Sequence, residues 1–336
     1  MVRSALSLTL LLVIGSEWLC GQELQFAEMG DCNLENGEII EDCSIGYRTV
    51  GVLNSDRSNA ILFPSWFGGD SEAILEFLGP DGMIDTSEDY VIVVDAFGNG
   101  VSSSPSNSKL QRGSAFPDVT IRDMVRQQRR MLEVELGISQ LKAVAGISMG
   151  GMQAFEWAVS YPNFAANIIP VAGSPRLAPY DIVLWETDLA ILAWFLECRC
   201  QPPAAVRQGL YFLAEGPDYH ARVSPHDRLA SVLEELAGAS LDEGRSRDLM
   251  LQLRAMIGHD VSAPFDSSMD EAANRTEARF FVVVGLTDHV VTPGPALAFA
   301  RLLGARTLEL PNDCGHEAPW CDEALFNSSV REFLHR

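Results

Sequence analysis

The chain has 336 residues, of which 47% are apolar and 21% charged, so it is long enough and apolar enough to bury a large core. Its formal net charge of -22 argues against nucleic acid as a partner, because binding to phosphates requires a basic patch. No stretch is long and apolar enough to span a bilayer as a helix, which argues against a membrane span.

The N-terminus has the pattern of a secretory signal peptide. Arg3 provides a positive charge and residues 6–14 form a short apolar run. Small residues that suit a cleavage site follow at Gly15, Ser16 and Gly21. We therefore predict a signal peptide over residues 1–21 and export to the periplasm or the medium. A buried N-terminal strand or helix and a lipoprotein modified at Cys20 are the alternatives.

The cysteines are consistent with an exported protein. Six remain if residues 1–21 are removed, and an even number in such a chain indicates disulfides. Neighbours in the sequence suggest the pairs Cys32–Cys43 and Cys314–Cys321, with buried free thiols as the alternative for the second pair. Cys198 and Cys200 are close enough to pair, but the ring would be strained. The spacings match no zinc pattern, so we expect no metal.

The next part of the chain alternates strands with helices. Residues 37–54 are extended and are broken by Gly46 and Gly51, which predicts a β-hairpin. Short apolar runs predict buried strands of a parallel sheet at residues 60–64, 90–95, 142–146 and 168–172. Helices are predicted over residues 120–136 and 149–160. This alternation favours a mostly parallel sheet with right-handed crossovers.

The alternation then stops. Residues 175–268 contain no convincing strand, but have helix-like segments at residues 181–196 and 228–237, which predicts an inserted helical cap, or lid. The alternation of strands and helices is predicted to resume at residues 279–285, 295–303, 306–310 and 322–335. The predicted core therefore comprises residues 22–174 and 269–336.

The segment Gly146-Ile147-Ser148-Met149-Gly150 matches the pattern G-x-S-x-G. It follows a predicted apolar strand and opens a predicted helix, which is the context of a nucleophile elbow. The two glycines remove side chains that would clash in the turn, and the helix N-terminus favours negative charge. We predict that Ser148 is the nucleophile of an α/β-hydrolase fold. A glycine-rich turn without catalytic function is the alternative.

A serine hydroxyl needs a general base, and the base needs an orienting acid. In this fold the three occur along the chain in the order serine, acid, histidine. Asp288 directly follows one predicted strand and His316 follows the next, so both are expected at the same sheet edge as Ser148. Asp266 and Asp270 are the rival acids, and neither has this position after a core strand.

Acyl transfer also requires hydrogen-bond donors for the oxyanion. One predicted donor is the backbone N–H of Met149, directly after the nucleophile. The second is expected from the loop after residues 60–64, where we favour the N–H of Phe67, with that of Trp66 as the alternative. Aromatic side chains are predicted to form an apolar wall of the substrate pocket: Trp66, Trp185, Trp194 and Phe195. Alternatively, the cap aromatics pack only against the cap's own helices.

Residues 59–71, 116–123 and 146–162 resemble the homoserine O-acetyltransferase family, and the segment S-M-G-G-M-Q is fairly specific to it. The resemblance implies an α/β-hydrolase fold with a helical lid and a triad that falls on Ser148, Asp288 and His316. Two features depart from the family. Ser65 stands where a histidine commonly precedes the oxyanion loop, and residues 175–268 lack the arginine-containing segment that helps to hold the acceptor.

Two activities and one inactive form are compatible with these residues. The first is hydrolysis of a small acyl ester, which export favours because acyl-CoA is a cytoplasmic metabolite. The second, implied by the resemblance, is transfer of an acyl group from acetyl-CoA to a hydroxyl acceptor such as homoserine. The third is a catalytically inactive binding protein. We expect a small-molecule acyl substrate and no cofactor, and the oligomeric state stays open, with a homodimer as one alternative.

Overall fold

The computed structural model describes residues 23–198, 214–223, 230, 234 and 242–336. The predicted signal peptide over residues 1–21, most of the predicted helix at residues 228–237 and Cys200 lie outside the described part. Eight described strands form one sheet: β1 (Gln25–Asn33), β2 (Ile39–Val50), β3 (Ala60–Pro64), β4 (Tyr90–Val94), β5 (Leu141–Ile147), β6 (Ala165–Val171), β7 (Arg279–Gly285) and β8 (Arg306–Leu310).

The strands are arranged in the order β1-β2-β4-β3-β5-β6-β7-β8. Strands β3 to β8 pair in parallel, whereas β1 and β2 form an antiparallel edge. Every residue of β3 is buried, and its side chains alternate between two core clusters, with Ile61 and Phe63 on one face and Ala60 and Leu62 on the other. The predicted mostly parallel sheet, covered on both faces, is therefore confirmed.

The described helices cover both faces of the sheet and also occupy the segment between β6 and β7. They are α1 (Ser71–Ile74), α2 (Ile121–Val134), α3 (Met149–Ser160), α4 (Pro179–Cys198), α5 (Pro217–Val223), α6 (Glu243–Ile257), α7 (Met269–Arg275), α8 (Pro293–Leu303), α9 (Ala318–Cys321) and α10 (Glu323–Leu334). Residues of α2, α3 and α8 belong to one core cluster, and residues of α1 and α10 to the other. Within the described residues, no helix combines the length and apolar character needed to cross a membrane.

The hairpin predicted within residues 37–54 is wrong. The span contains one long strand, β2, whose antiparallel partner is the preceding β1. The turn lies earlier, where the N–H of Leu34 donates to the carbonyl oxygen of Glu38 at 2.9 Å. Gly46 marks close packing and not a turn, because a Cβ there would lie 2.7 Å from the Val101 side chain. A disulfide, Cys32–Cys43, joins β1 to β2, as the sequence suggested.

Between β6 and β7 the described chain forms helices α4 to α7. Helix α4 was predicted at residues 181–196. Helix α6, which packs against α4, was not predicted. The buried positions of α6 include the polar residues Ser246, Asp248 and Gln252, which interrupt the hydrophobic periodicity that would reveal a helix. The limits of the cap at residues 175–268 stay a prediction.

Candidate active site

A sharp turn joins β5 to α3 at Ser148. This residue has φ 56° and ψ -119°, a strained conformation for a residue with a side chain. A Cβ at Gly146 would lie 2.1 Å from the carbonyl oxygen of Gly150, and one at Gly150 would lie 2.5 Å from that of Pro64. Both obstacles are backbone atoms, which no side-chain rotation relieves. The two glycines of the sequence pattern are therefore sterically required.

Ser148, His316 and Asp288 form a hydrogen-bonded chain. Nε2 of His316 lies 3.0 Å from Oγ of Ser148, and Nδ1 lies 2.7 Å from Oδ2 of Asp288. The other carboxylate oxygen of Asp288 accepts hydrogen bonds from the N–H groups of Val290 at 2.8 Å and Val291 at 2.9 Å. These bonds orient the carboxylate so that Oδ2 faces the imidazole. In this geometry a histidine can accept the proton of a serine hydroxyl.

The two alternative acids considered in the sequence analysis lie away from the triad. Asp266 follows a short 3-10 helix and Asp270 lies in the first turn of α7, and both are exposed. Asp288 instead follows β7, and His316 follows β8, the neighbouring strand. Parallel strands end at the same sheet edge, which brings these two side chains to Ser148.

The surroundings of His316 act on its pKa in two directions. Burial by itself lowers the pKa, but the charge and hydrogen bond of Asp288 raise it, as do the charges of Glu317 and Asp181. The net result is a pKa above the ordinary value of 6.5. Asp288 therefore both orients the imidazole and stabilises its protonated form.

We expect kcat/KM for an ester to fall as the pH decreases through the pKa of His316, because only the neutral imidazole can accept the serine proton. Since that pKa is raised, the midpoint of the acidic limb should lie above pH 6.5. The measurement is a pH–rate profile, with circular dichroism at each pH to separate titration from unfolding. A midpoint below pH 6.5 in folded protein would contradict this electrostatic account.

The residues of the predicted oxyanion donors lie next to the nucleophile. Met149 is the first residue of α3, so its N–H has no acceptor within the helix. Phe67 lies in the loop between β3 and α1, and it lines the same cavity as Ser148. In this loop the N–H of Gly69 donates to the carbonyl oxygen of Trp66 at 3.1 Å, which forms a tight turn around Phe67.

The cavity at Ser148 has a volume of about 290 Å³. Most of its described lining is apolar or aromatic: Trp66, Phe67, Phe77, Ile147, Leu184, Trp185, Ala214, Val290 and Trp320. Carboxyl groups of Glu76, Asp188 and Glu317 also border it, and its described lining contains no Lys or Arg. Burial raises the pKa of Glu317, the residue next to the base. Such a cavity suits a small, largely apolar molecule.

Trp194, which the sequence analysis assigned to the pocket, is not among the described residues that line this cavity. It follows Trp185 by nine positions, which at 3.6 residues per turn places it on the opposite side of α4. Accordingly, Trp185 is 5% exposed and lines the cavity, whereas Trp194 is 51% exposed. Phe195 is buried but is not among the described lining residues. Trp66 and Trp185 line the cavity, and their contact with a substrate stays a prediction.

We expect Trp185→Ala to raise the preference for butyrate over acetate esters. Trp185 packs edge-on against Phe67 with ring centroids 5.7 Å apart, so its removal enlarges the cavity beside the nucleophile. Two additional buried methylene groups would change kcat/KM by about tenfold. Trp194→Ala is the matched control, because it removes an indole from the opposite side of the same helix.

For both tryptophan variants the readouts are kcat/KM for a series of acyl chain lengths and the melting temperature. Equal loss on all esters in Trp185→Ala, together with lower stability, would instead indicate that Trp185 only packs the cap helices.

The loop that carries His316 is closed by the disulfide Cys314–Cys321. Within the loop, the N–H of His316 donates to the carbonyl oxygen of Ala214 at 2.6 Å, and the N–H of Gly315 donates to Oγ1 of Thr287 at 3.1 Å. The base is thus held by one covalent link and by contacts to two other segments.

Removing Cys314–Cys321 by a double alanine substitution is expected to lower kcat by about tenfold, because a displacement of the base by ~1 Å costs about a hundredfold. The matched control is the double alanine variant of Cys32–Cys43, a link between β1 and β2. Loops of 7 and 11 residues have similar closure entropies, so each loss should destabilise the fold by about 2–3 kcal/mol. Equal kcat in the two variants would show that this disulfide has no effect on the base.

Among the cavity residues that the sequence analysis missed, two lie beside the base. Glu317 and Trp320 line the cavity beside the base, and both lie within four residues of His316. Proximity to a predicted base was the available signal for them. Among the described residues, no group of three or more His, Cys, Asp or Glu side chains is arranged to hold a metal ion.

Comparison with known proteins identifies the fold family and several similar enzymes. Residues 88–322 match the family described as the alpha/beta hydrolase fold. A probable esterase of Corynebacterium glutamicum is 40% identical over 164 residues, which cover 48% of this chain and 47% of the relative. A homoserine O-acetyltransferase of Rhodospirillum rubrum is 28% identical over 352 aligned residues, which cover 90% of this chain and 89% of the relative.

A similar solved structure is that of an acetylester hydrolase from Corynebacterium glutamicum. Its TM-score is 0.84 at 27% identity, with 94% of this chain and 96% of that chain covered. The chain spans about half the length of the curated esterase relative. The fold class and the resemblance predicted from the sequence are confirmed.

Proposed function

This chain belongs to the α/β-hydrolase fold family, and on that premise we propose that it is a serine esterase that hydrolyses small acyl esters through an acyl-enzyme on Ser148. The observation that carries the proposal is the hydrogen-bonded chain from Ser148 through His316 to Asp288. The esterase relative and the acetylester hydrolase structure support the same class of chemistry.

In the proposed mechanism, Nε2 of His316 accepts the proton of Ser148 as Oγ attacks the ester carbonyl carbon. The carbonyl oxygen becomes an oxyanion, which the N–H groups of Met149 and Phe67 stabilise. The intermediate expels the alcohol, which takes the proton from His316. Water then attacks the acyl-enzyme with His316 as the base, and the acid product leaves as Ser148 regains its proton.

Likeness to an acetyltransferase over 90% of the chain favours a second candidate, transfer of an acyl group to a hydroxyl acceptor such as homoserine. The lining of the cavity favours water as the acceptor. Homoserine carries a carboxylate, and the described lining offers no Lys or Arg to pair with it. A carboxylate that enters a partly desolvated site without a cationic partner loses solvation and gains no ion pair in return.

Intact-mass measurement tests the two candidates. The purified protein is mixed with p-nitrophenyl acetate or with acetyl-CoA, with and without homoserine, and quenched in acid. We expect an added acetyl group on Ser148 from the ester, and acetate as the product even when homoserine is present. Acetylation by acetyl-CoA, followed by formation of O-acetylhomoserine, would establish the transferase instead. The Ser148→Ala variant identifies acetylation at other side chains.

We also propose that the protein is exported. The disulfides Cys32–Cys43 and Cys314–Cys321 support this, because such bonds persist in oxidising compartments. The apolar run at residues 6–14 is consistent with a signal peptide. N-terminal sequencing of protein recovered from its native compartment tests the proposal, since a start at residue 1 in cytoplasmic protein would contradict it.

A further inference from the structure

Helix α6 directs three polar side chains at the loops that follow β3 and β4. Arg245, Asp248 and Gln252 are spaced by three and four positions, so they share one face of the helix. Asp248 anchors that face, because its two carboxylate oxygens accept hydrogen bonds from the N–H of Ser106 at 2.9 Å and from its hydroxyl at 2.6 Å. The helix is therefore attached to the loop that follows β4.

Gln252 is fully buried, and its amide joins the two loops. Its Oε1 accepts a hydrogen bond from the N–H of Gly68 at 2.8 Å, and its Nε2 donates to the carbonyl oxygen of Phe97 at 3.0 Å. Gly68 directly follows Phe67, whose N–H is the proposed second oxyanion donor. One side chain of α6 thus fixes the peptide plane that adjoins this donor.

Arg245 binds the other polar group of the same residue. One of its terminal nitrogens donates to the carbonyl oxygen of Gly68, and the other donates to that of Asn99 at 2.9 Å. Both backbone polar groups of Gly68 are therefore bound by side chains of α6. The helix also packs closely here, since a Cβ on Gly68 would lie 3.2 Å from Arg245 and from Leu249.

We propose that Gln252 and Arg245 are positioning residues of the oxyanion hole. They hold the peptides on both sides of Gly68 and so keep the N–H of Phe67 directed at the substrate oxygen. An oxyanion donor is effective only when it is preorganised, and losing one costs about a hundred- to a thousandfold in kcat. This inference rests on the proposed esterase function and gives α6 a part in the chemistry.

Two glutamine variants provide a matched test. Gln252→Met removes both hydrogen bonds while keeping a similar length. Gln111 makes the same kind of bridge between two backbone groups of β2. Its Oε1 accepts from the N–H of Glu41 and its Nε2 donates to the carbonyl oxygen of Ile39, both at 2.8 Å. Gln111→Met is therefore the control. Arg245→Met, at a partly exposed position, supplies a second variant in case Gln252→Met does not fold.

The readouts are kcat and KM for p-nitrophenyl acetate, the melting temperature, and Ki for a trifluoromethyl ketone, which forms an oxyanion on the serine. We expect kcat to fall by about tenfold to a hundredfold in Gln252→Met and about tenfold in Arg245→Met, with KM within about twofold. Ki should rise by a factor similar to the loss in kcat, and Gln111→Met should match the wild type.

A change confined to KM or to the melting temperature, with kcat and Ki as in Gln111→Met, would overturn the proposal and leave the esterase function standing. A wild-type protein that neither hydrolyses the ester nor binds the ketone would overturn the esterase function, and this inference with it.

Discussion

Replacing Ser148 with alanine is expected to abolish ester hydrolysis while the fold stays intact. Loss of a triad nucleophile lowers kcat by about ten-thousandfold or more, because only catalysis by binding and by the oxyanion donors remains. Alanine keeps a Cβ at φ 56°, so the strain of the turn is unchanged and the melting temperature should stay close to that of the wild type. Initial rates on p-nitrophenyl acetate measure the effect.

Ser148→Gly is the informative companion variant. It removes the same hydroxyl, but glycine tolerates a positive φ, so the fold should gain on the order of 1 kcal/mol. We therefore expect two inactive proteins that differ in stability. More than about a tenth of wild-type activity in either variant would show that Ser148 is not the nucleophile.

The central sheet was the most predictable part of the fold. Strands β3, β7 and β8 and helix α3 have the predicted limits to the residue. Each of these strands is a short continuous segment of the sequence. The glycines around Ser148 made the start of α3 predictable. Where tertiary packing decided the structure, the prediction failed. Gly46 was interpreted as part of a turn. A glycine is needed there because the side chain of Val101 packs closely against it, and the sequence does not show a contact with a residue so far along the chain.

The candidate triad could be located because its signals are local. Ser148 lies in a recognisable turn, and Asp288 and His316 each follow a core strand, so the parallel sheet explains their convergence. The distribution of aromatic residues in the cap was harder to assign. Trp185 and Trp194 are the same residue type on the same helix. Only the orientation of α4 about its axis decides which of them faces the cavity and which faces the solvent.

The contacts of α6 left no signal in the sequence. Gln252 and Arg245 bind backbone groups of Gly68, and backbone groups have the same chemistry at every residue. No complementary charge or apolar pattern marks such a partner in advance. The helix was missed for a related reason, because the side chains that attach it to the core are polar and buried.

Asp288→Asn is expected to lower kcat by about ten-thousandfold with little change in stability. In the wild type, Oδ1 of Asp288 accepts from the N–H groups of Val290 and Val291. Asparagine must present its carbonyl oxygen to those donors, so its NH₂ group faces Nδ1 of His316 and Nδ1 becomes an acceptor. The proton then resides on Nε2, directed at Ser148, where the imidazole cannot act as a base.

The exposed carboxylates Asp266 and Asp270 provide matched controls for the variant Asp288→Asn, because each can be changed to asparagine without altering the chain from Ser148 to His316. The measurements are kcat on one ester for all three variants and the nitrogen chemical shifts of His316, which report its tautomer. We expect near wild-type kcat in the two controls, and a shift from the Nδ1–H to the Nε2–H tautomer only in Asp288→Asn. A larger loss of kcat at Asp266 or Asp270 would reassign the acid. If Asp288→Asn loses activity while the tautomer of His316 stays unchanged, catalysis requires the charge of Asp288 and not its orientation of the imidazole.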